Sequence, residues 1–147
     1  MKKVILIPLV ASAALLGCKE QQPEKTHAAI EAEVQKPLWV GDFSGTTPCM
    51  GCISRCEDCP GMSVKLNLHE DQTYTLVRES LSGHNEIETL TGVIKFIDAK
   101  QTQLALLNVA TRNLLFVDLE KKQLEIRQDT TAKSYQIQSD FILVKNI

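Results

Sequence analysis

From Met62 to Leu68 the chain reads Met-Ser-Val-Lys-Leu-Asn-Leu, apolar at every second residue. A period of two sends alternate side chains to opposite faces of an extended backbone, so this stretch specifies a strand with one dry face and one wet face. Glu70-Asp71-Gln72 turns the chain, and Thr73 to Leu81, rich in β-branched and aromatic residues, returns. The same grammar runs through the rest. Leu38-Trp39-Val40 opens a short strand that Gly45 is expected to break. Ser82 to Glu86 forms a loop, and Ile87 to Ile97 a long strand in which Gly92 marks an expected bulge or bend. Gln103 to Val109 and Asn113 to Leu119 flank an Ala110-Thr111-Arg112 turn, Gln123 to Arg127 is short, and Ser134 to Val144 ends the series. The runs LALLNV and LLFVDL could be buried helix, but their shortness and the turn between them favour strands. About eight strands at hairpin spacing predict an all-β fold. A small antiparallel up-and-down barrel is the first choice, because closure removes exposed sheet edges.

The strands begin late. Met1-Lys2-Lys3 precedes the apolar run VILIPLVASAALLG, the layout of an export signal, too short for a membrane-spanning helix and interrupted by Pro8. It ends Leu15-Leu16-Gly17-Cys18, which resembles a bacterial lipobox despite Leu16 at a position where a smaller residue is usual. The resemblance implies cleavage after Gly17 and diacylglycerol and N-acyl groups (palmitate among them) on Cys18. Three acyl chains at about 0.8 kcal/mol per methylene make a lasting anchor. Lys19, where an aspartate would signal inner-membrane retention, favours the outer membrane, facing the periplasm. Lys19 to Pro37 is polar and glycine-free, a tether of roughly 25 Å r.m.s. as a flexible coil. The expected organisation is a lipoprotein signal peptide at 1–17, a lipid-anchored tether at 18–37 and one domain at 38–147.

Composition narrows the function. There are 16 Lys and Arg against 18 Asp and Glu, and loss of Lys2 and Lys3 with the leader makes the remainder more acidic. With no basic run beside aromatics, nucleic acid is not an expected partner. No Gly-rich phosphate loop or serine nucleophile elbow is present. His27, His69 and His84 are scattered, and Glu57-Asp58, Glu70-Asp71, Glu86 and Glu88 make no acid–base pair by themselves. The chain is not expected to be an enzyme.

The chemistry concentrates in PCMGCISRCEDCPG, Pro48 to Gly61, with Cys49, Cys52, Cys56 and Cys59 in two C-x-x-C pairs. An oxidising compartment favours disulfides, and four cysteines allow three connectivities among which the sequence does not choose. Reduced, the thiolates suit copper(I), with Met50 as an accessory thioether; Met62 falls on the apolar face of its strand. Zinc ribbons use a longer gap between knuckles. The spacing misses the ferredoxin pattern by one residue. A thioredoxin-like pair needs a helix N-terminus, and Cys59 is followed by Pro60-Gly61 and a strand. Cys56 and Cys59, next to that strand, are expected on the firmer backbone and so are the first choice for metal or redox work, with Cys49 and Cys52 modulating them.

The stretch WVGDFSGTTPC, followed by CEDCPGMSVKLNLHEDQTYTL, resembles the N-terminal domain of the NlpE copper-homeostasis lipoproteins. Pro48-Cys49 matches the front of that family's cysteine motif, and Cys56 to Gly61 its back; MGCISR, with Cys52, stands as an insertion. The glycine of LTGVIKF matches loosely. The resemblance implies a lipocalin-like barrel on an outer-membrane lipoprotein, linked to copper homeostasis and to an envelope-stress signalling partner. The OB-fold-like second domain of longer members has no counterpart before Ile147, so signalling that needs it is not implied. The alternative is a lipocalin-like binder of a lipid or other apolar small molecule, its disulfides purely structural. An apolar cavity inside the barrel would favour that carrier; a filled barrel would favour the sensor.

Overall fold

The computed structural model describes residues 35–83, 86–128 and 131–147. The expected leader, the acyl acceptor Cys18 and most of the tether, with His27, lie outside the described residues, as does His84. Eight strands follow in order: β1 (Gly41–Thr47), β2 (Met62–Leu68), β3 (Thr73–Ser80), β4 (Ile87–Phe96), β5 (Gln103–Leu106), β6 (Leu114–Asp118), β7 (Gln123–Arg127) and β8 (Ile142–Lys145). Each pairs antiparallel with the next, and β8 pairs with β1, so the sheet closes into an up-and-down barrel. One 3-10 turn, Gln138–Phe141, precedes β8. Among the described residues no helix is long and apolar enough to cross a membrane.

Alternation explains the interior. In β2, Met62, Val64, Leu66 and Leu68 are all buried while Lys65 between them is exposed. Tyr74 and Leu76 of β3, Ile94 of β4, Leu115 and Val117 of β6 and Leu143 of β8 join the same core. Trp39 and Val40, expected to start the first strand, instead plug the base just ahead of it, with Trp39 edge-on to Phe96 at 5.3 Å.

Three local expectations change. Gly45 does not break its strand; it sits inside β1, where a Cβ would strike the Ile142 carbonyl oxygen of the neighbouring strand β8. Gly92 marks no bulge, since the β3–β4 register runs unbroken from Thr73↔Val93 to Glu79↔Ile87. It is needed for space: a Cβ there would stand 2.8 Å from the Leu107 carbonyl oxygen and 2.9 Å from the Tyr74 ring, and the Tyr74 hydroxyl donates to that carbonyl. The last expected strand shrinks to Ile142–Lys145. An extended chain would hold Tyr135 and Phe141 roughly 20 Å apart. Instead their rings stack at 3.6 Å and Phe141 is fully buried, so the chain folds back into the barrel mouth rather than running straight.

The strand directions sort the connections between two ends. The base carries the tight turns at 69–72, 97–102 and 119–122, the entry at Gly41 and the exit after Lys145. The mouth carries the longer segments at 48–61, 81–86, 107–113 and 128–141. The cysteine segment therefore stands at the end of the barrel opposite the point where the chain enters.

Candidate functional site

Both C-x-x-C motifs fold as turns. The Cys52 N–H donates to the Cys49 carbonyl at 3.0 Å, and the Cys59 N–H to the Cys56 carbonyl at 3.3 Å. A disulfide joins Cys49 to Cys59, taking one cysteine from each motif. Cys52, half-buried, and Cys56, exposed, remain as thiols.

The loop is held from across the barrel. Arg112, in the connection between β5 and β6, is only 6% exposed. Its Nη1 donates to the Pro48 carbonyl at 2.7 Å and to Thr47 Oγ1 at 3.3 Å; its Nη2 donates to the carbonyls of Cys49 and Cys52 at 2.8 and 2.9 Å. The planar guanidinium suits this task because its donors are fixed in a fork. Its carbon lies 5.1 Å from the centroid of Phe141, so the ring stacked on Tyr135 also supports the clamp. A second tie joins Arg55 to Asp140: the Arg55 N–H donates to Asp140 Oδ2 at 3.1 Å, and its Nε lies 3.4 Å from Oδ1. Arg55 Nη2 also reaches the Thr46 carbonyl at 2.6 Å.

Arg78 of β3 stands beside this clamp. It donates to the Thr111 carbonyl at 2.8 Å and pairs with Glu88 at 3.3 Å, while its Nη1 lies 4.0 Å from Met50 Sδ. Burial pulls its pKa below the ordinary value, the Glu88 carboxylate opposes that, and Arg112 adds to the lowering. The guanidinium stays a cation at neutral pH. Below the two arginines the interior is filled. The space among Met50, Met62, Leu66, Leu76 and Leu115 amounts to about 10 Å³, too little for more than a single water. A lipid-sized ligand has no cavity there.

The site residues expected from the sequence thus gather at one place, apart from Cys18, which lies outside the described residues. The cross-barrel hold falls on the first pair, while Cys59 is joined to it through the bridge. The carbonyls of Cys49 and Cys52 are the ones Arg112 grips, whereas Cys56 is exposed. Met50 is half-exposed and faces Arg78. Arg112, Arg55 and Asp140 were not anticipated, and no local motif marks them: their partners in the loop lie 60 to 85 residues away for Arg112 and Asp140. His69, beside Thr75, lies at the base of the barrel. Among the described residues no three His, Cys, Asp or Glu side chains gather as a metal site. With Cys49 and Cys59 bridged, neither motif offers two thiols, so the bridged state does not fit copper(I) held by a C-x-x-C pair.

Comparison with the curated proteins gives no match. Among solved structures, a presumed lipoprotein from Shewanella oneidensis is similar in fold, with a TM-score of 0.58 and 22% identity over 74% of this chain and 89% of that one. The family model of the NlpE N-terminal domain matches residues 43–140, which takes in the cysteine loop, the Arg112 clamp, most of β1 and all of β2 to β7. The chain belongs to the NlpE N-terminal domain family.

Proposed function

We propose that this is an envelope lipoprotein of the outer membrane whose cysteine loop responds to copper and to the thiol redox state, and that it acts as a sensor or binding module rather than an enzyme. The observation that carries this reading is the Cys49–Cys59 bridge between two C-x-x-C turns on an otherwise filled barrel. A disulfide sulfur has no thiolate to give, so copper(I) capture by either C-x-x-C pair and the bridge exclude each other. Reduction frees all four sulfurs at the mouth of the barrel, and copper(I) is the cargo they suit, with Met50 within the same segment. The loop then has two states, and an envelope-stress signalling partner would respond to the difference between them. The filled interior supports this reading over the carrier.

The firmness of the backbone now favours the first pair. Sulfurs on a clamped turn need less ordering to grip a metal. The test is competition with a copper(I) chelator under reducing, anaerobic conditions. Cys49→Ser/Cys52→Ser is expected to lose most copper binding and Cys56→Ser/Cys59→Ser less. Equal losses would point to one four-thiolate site. Absence of binding by the fully reduced chain would leave the bridge as a structural brace and defeat the proposal.

A further inference from the structure

The ladder between β4 and β5 leaves the upper half of β4 unpaired on that side. β4 runs from Ile87 to Phe96, but β5 pairs only with Ile94–Phe96, and the last rung is the Leu107 N–H to the Val93 carbonyl. Above that rung β4 is bonded to β3 alone. The Ser80 N–H donates to the Glu86 carbonyl and the Ile94 N–H to the Gln72 carbonyl, so even-numbered residues of β4 bond toward β3. By the alternation of an antiparallel ladder, Ile87, Thr89 and Thr91 point their N–H and C=O groups away from β3. Among the described residues nothing pairs with that side. The corresponding upper part of β1 is shielded, since Gly45 packs directly on the Ile142 backbone.

The overhang carries one charge, Glu88, and that side chain is paired with Arg78. Ile87, Glu88, Thr89 and Thr91 are all exposed, Ile87 by 61%. Beyond that glutamate, the segment Ile-Glu-Thr-Leu-Thr carries no proline, no lysine and no bulge, devices that commonly blunt an edge. An edge of this kind accepts another strand.

We propose that the edge of β4 from Ile87 to Thr91 pairs antiparallel with the same edge of a second copy of this chain, about a two-fold axis through Thr89. The register argues for a second copy. Outward-bonding residues are the odd ones, so a symmetric ladder centres on residue 88, 89 or 90. Centring on 88 sets Glu88 against Glu88, an unfavourable like-charge pair. Centring on 90 sets Val93 against Ile87 and needs the Val93 carbonyl, which Leu107 already occupies. Centring on 89 sets Thr89 against Thr89, Ile87 against Thr91 and Glu88 against Leu90, with no like charges opposed. It makes about six backbone hydrogen bonds and covers the exposed Ile87 twice. A small ladder of this size gives a weak, concentration-dependent dimer.

The test uses the full chain with Cys18, Cys52 and Cys56 replaced by Ser, so that an introduced cysteine is the one free thiol beside the Cys49–Cys59 bridge. Thr89→Cys places two thiols across the axis with Cα atoms about 5.5 Å apart, within disulfide range. Cysteine at 88 or 90 meets its own copy only diagonally, about 7–8 Å away. Under mild oxidation Thr89→Cys is expected to cross-link about tenfold faster than Glu88→Cys or Leu90→Cys. Without the added cysteine, sedimentation is expected to show concentration-dependent dimer. Thr89→Pro and Thr89→Lys are each expected to abolish it with unchanged circular dichroism, because the Thr89 N–H does not serve the β3 ladder and two lysines would meet on the axis. A chain that stays monomeric at every concentration leaves the edge to another occupant and overturns the proposal, as does cross-linking that is equal at the three positions or fastest at 88 or 90.

Discussion

At the base of the barrel the turns are closed by their own residues; at the mouth the cysteine loop is also held by residues from elsewhere. Asp71 takes the Thr73 N–H and hydroxyl, Asp98 takes the N–H groups of Thr102 and Gln103 with the Thr102 hydroxyl, and Asp118 takes the Lys121 N–H. None of these bonds spans more than five residues. Arg112 instead reaches across more than sixty residues to hold Pro48 and Cys49. A self-contained turn has one conformation to offer. A loop held from a distance can be released by a change at either partner, and that makes the mouth, rather than the base, suited to a two-state response.

The sharpest way to break this contrast is Arg112→Ala. It strands the buried carbonyls of Pro48 and Cys49 and removes the support on Phe141. A loss of about 3 kcal/mol is expected in urea unfolding, counting charge-assisted hydrogen bonds as strongly non-additive. Limited proteolysis should cut first within 48–61. Arg112→Lys should restore only part, since one ammonium cannot fork between carbonyls.

Gly92→Ala tests the wall between the ends. Its methyl would press on Tyr74 and the Leu107 carbonyl, at a cost of roughly 1–3 kcal/mol from overpacking. Alkylation rates of Cys52 and Cys56 should stay as they are in the native chain. If they rise, the mouth is not independent of the wall.

Asp140→Ala is expected to cost less, about 0.5–1 kcal/mol, because its partner Arg55 is half exposed. Its distinguishing mark is faster alkylation of Cys56, the exposed thiol nearest Arg55 in sequence. An unchanged rate would confine the hold on the loop to Arg112.

The smallest effect belongs to the base. The Thr102 hydroxyl, followed by backbone N–H groups, holds the Asp98 carboxyl below its ordinary value, and Thr73 and Lys121 do the same for Asp71 and Asp118. A folded value lower than the unfolded one gives stability that is present above about pH 4 and lost as pH falls through the depressed value. Asp98→Asn should therefore flatten the acid limb of stability against pH without altering thiol reactivity at the mouth. An unchanged acid limb would show that these turns contribute nothing through their carboxylates.

The base was legible in the sequence because its information is local. Period-two alternation announced β2, Glu70-Asp71-Gln72 announced the turn, and summed hairpins gave a barrel with one neighbour order. The cysteine loop was legible as a cluster for the same reason. Its clamp was not, because nothing near Arg112 in Ala110-Thr111-Arg112 says which carbonyls it will meet. The glycines were misjudged on similar grounds: Gly45 and Gly92 are required by the Ile142 backbone and the Tyr74 ring, neighbours that only the closed barrel supplies. Ser134 to Val144 alternates well enough for a strand, and only the burial of Phe141 at the mouth explains why most of it folds back.

The two-state loop is tested most directly by native mass spectrometry of the chain titrated anaerobically with copper(I), once with the Cys49–Cys59 bridge mapped and intact and once fully reduced. The account predicts stoichiometric copper on the reduced chain and much weaker binding on the bridged one, whose remaining thiols, Cys52 and Cys56, come from different motifs. Copper on both forms alike, or on neither, would contradict it.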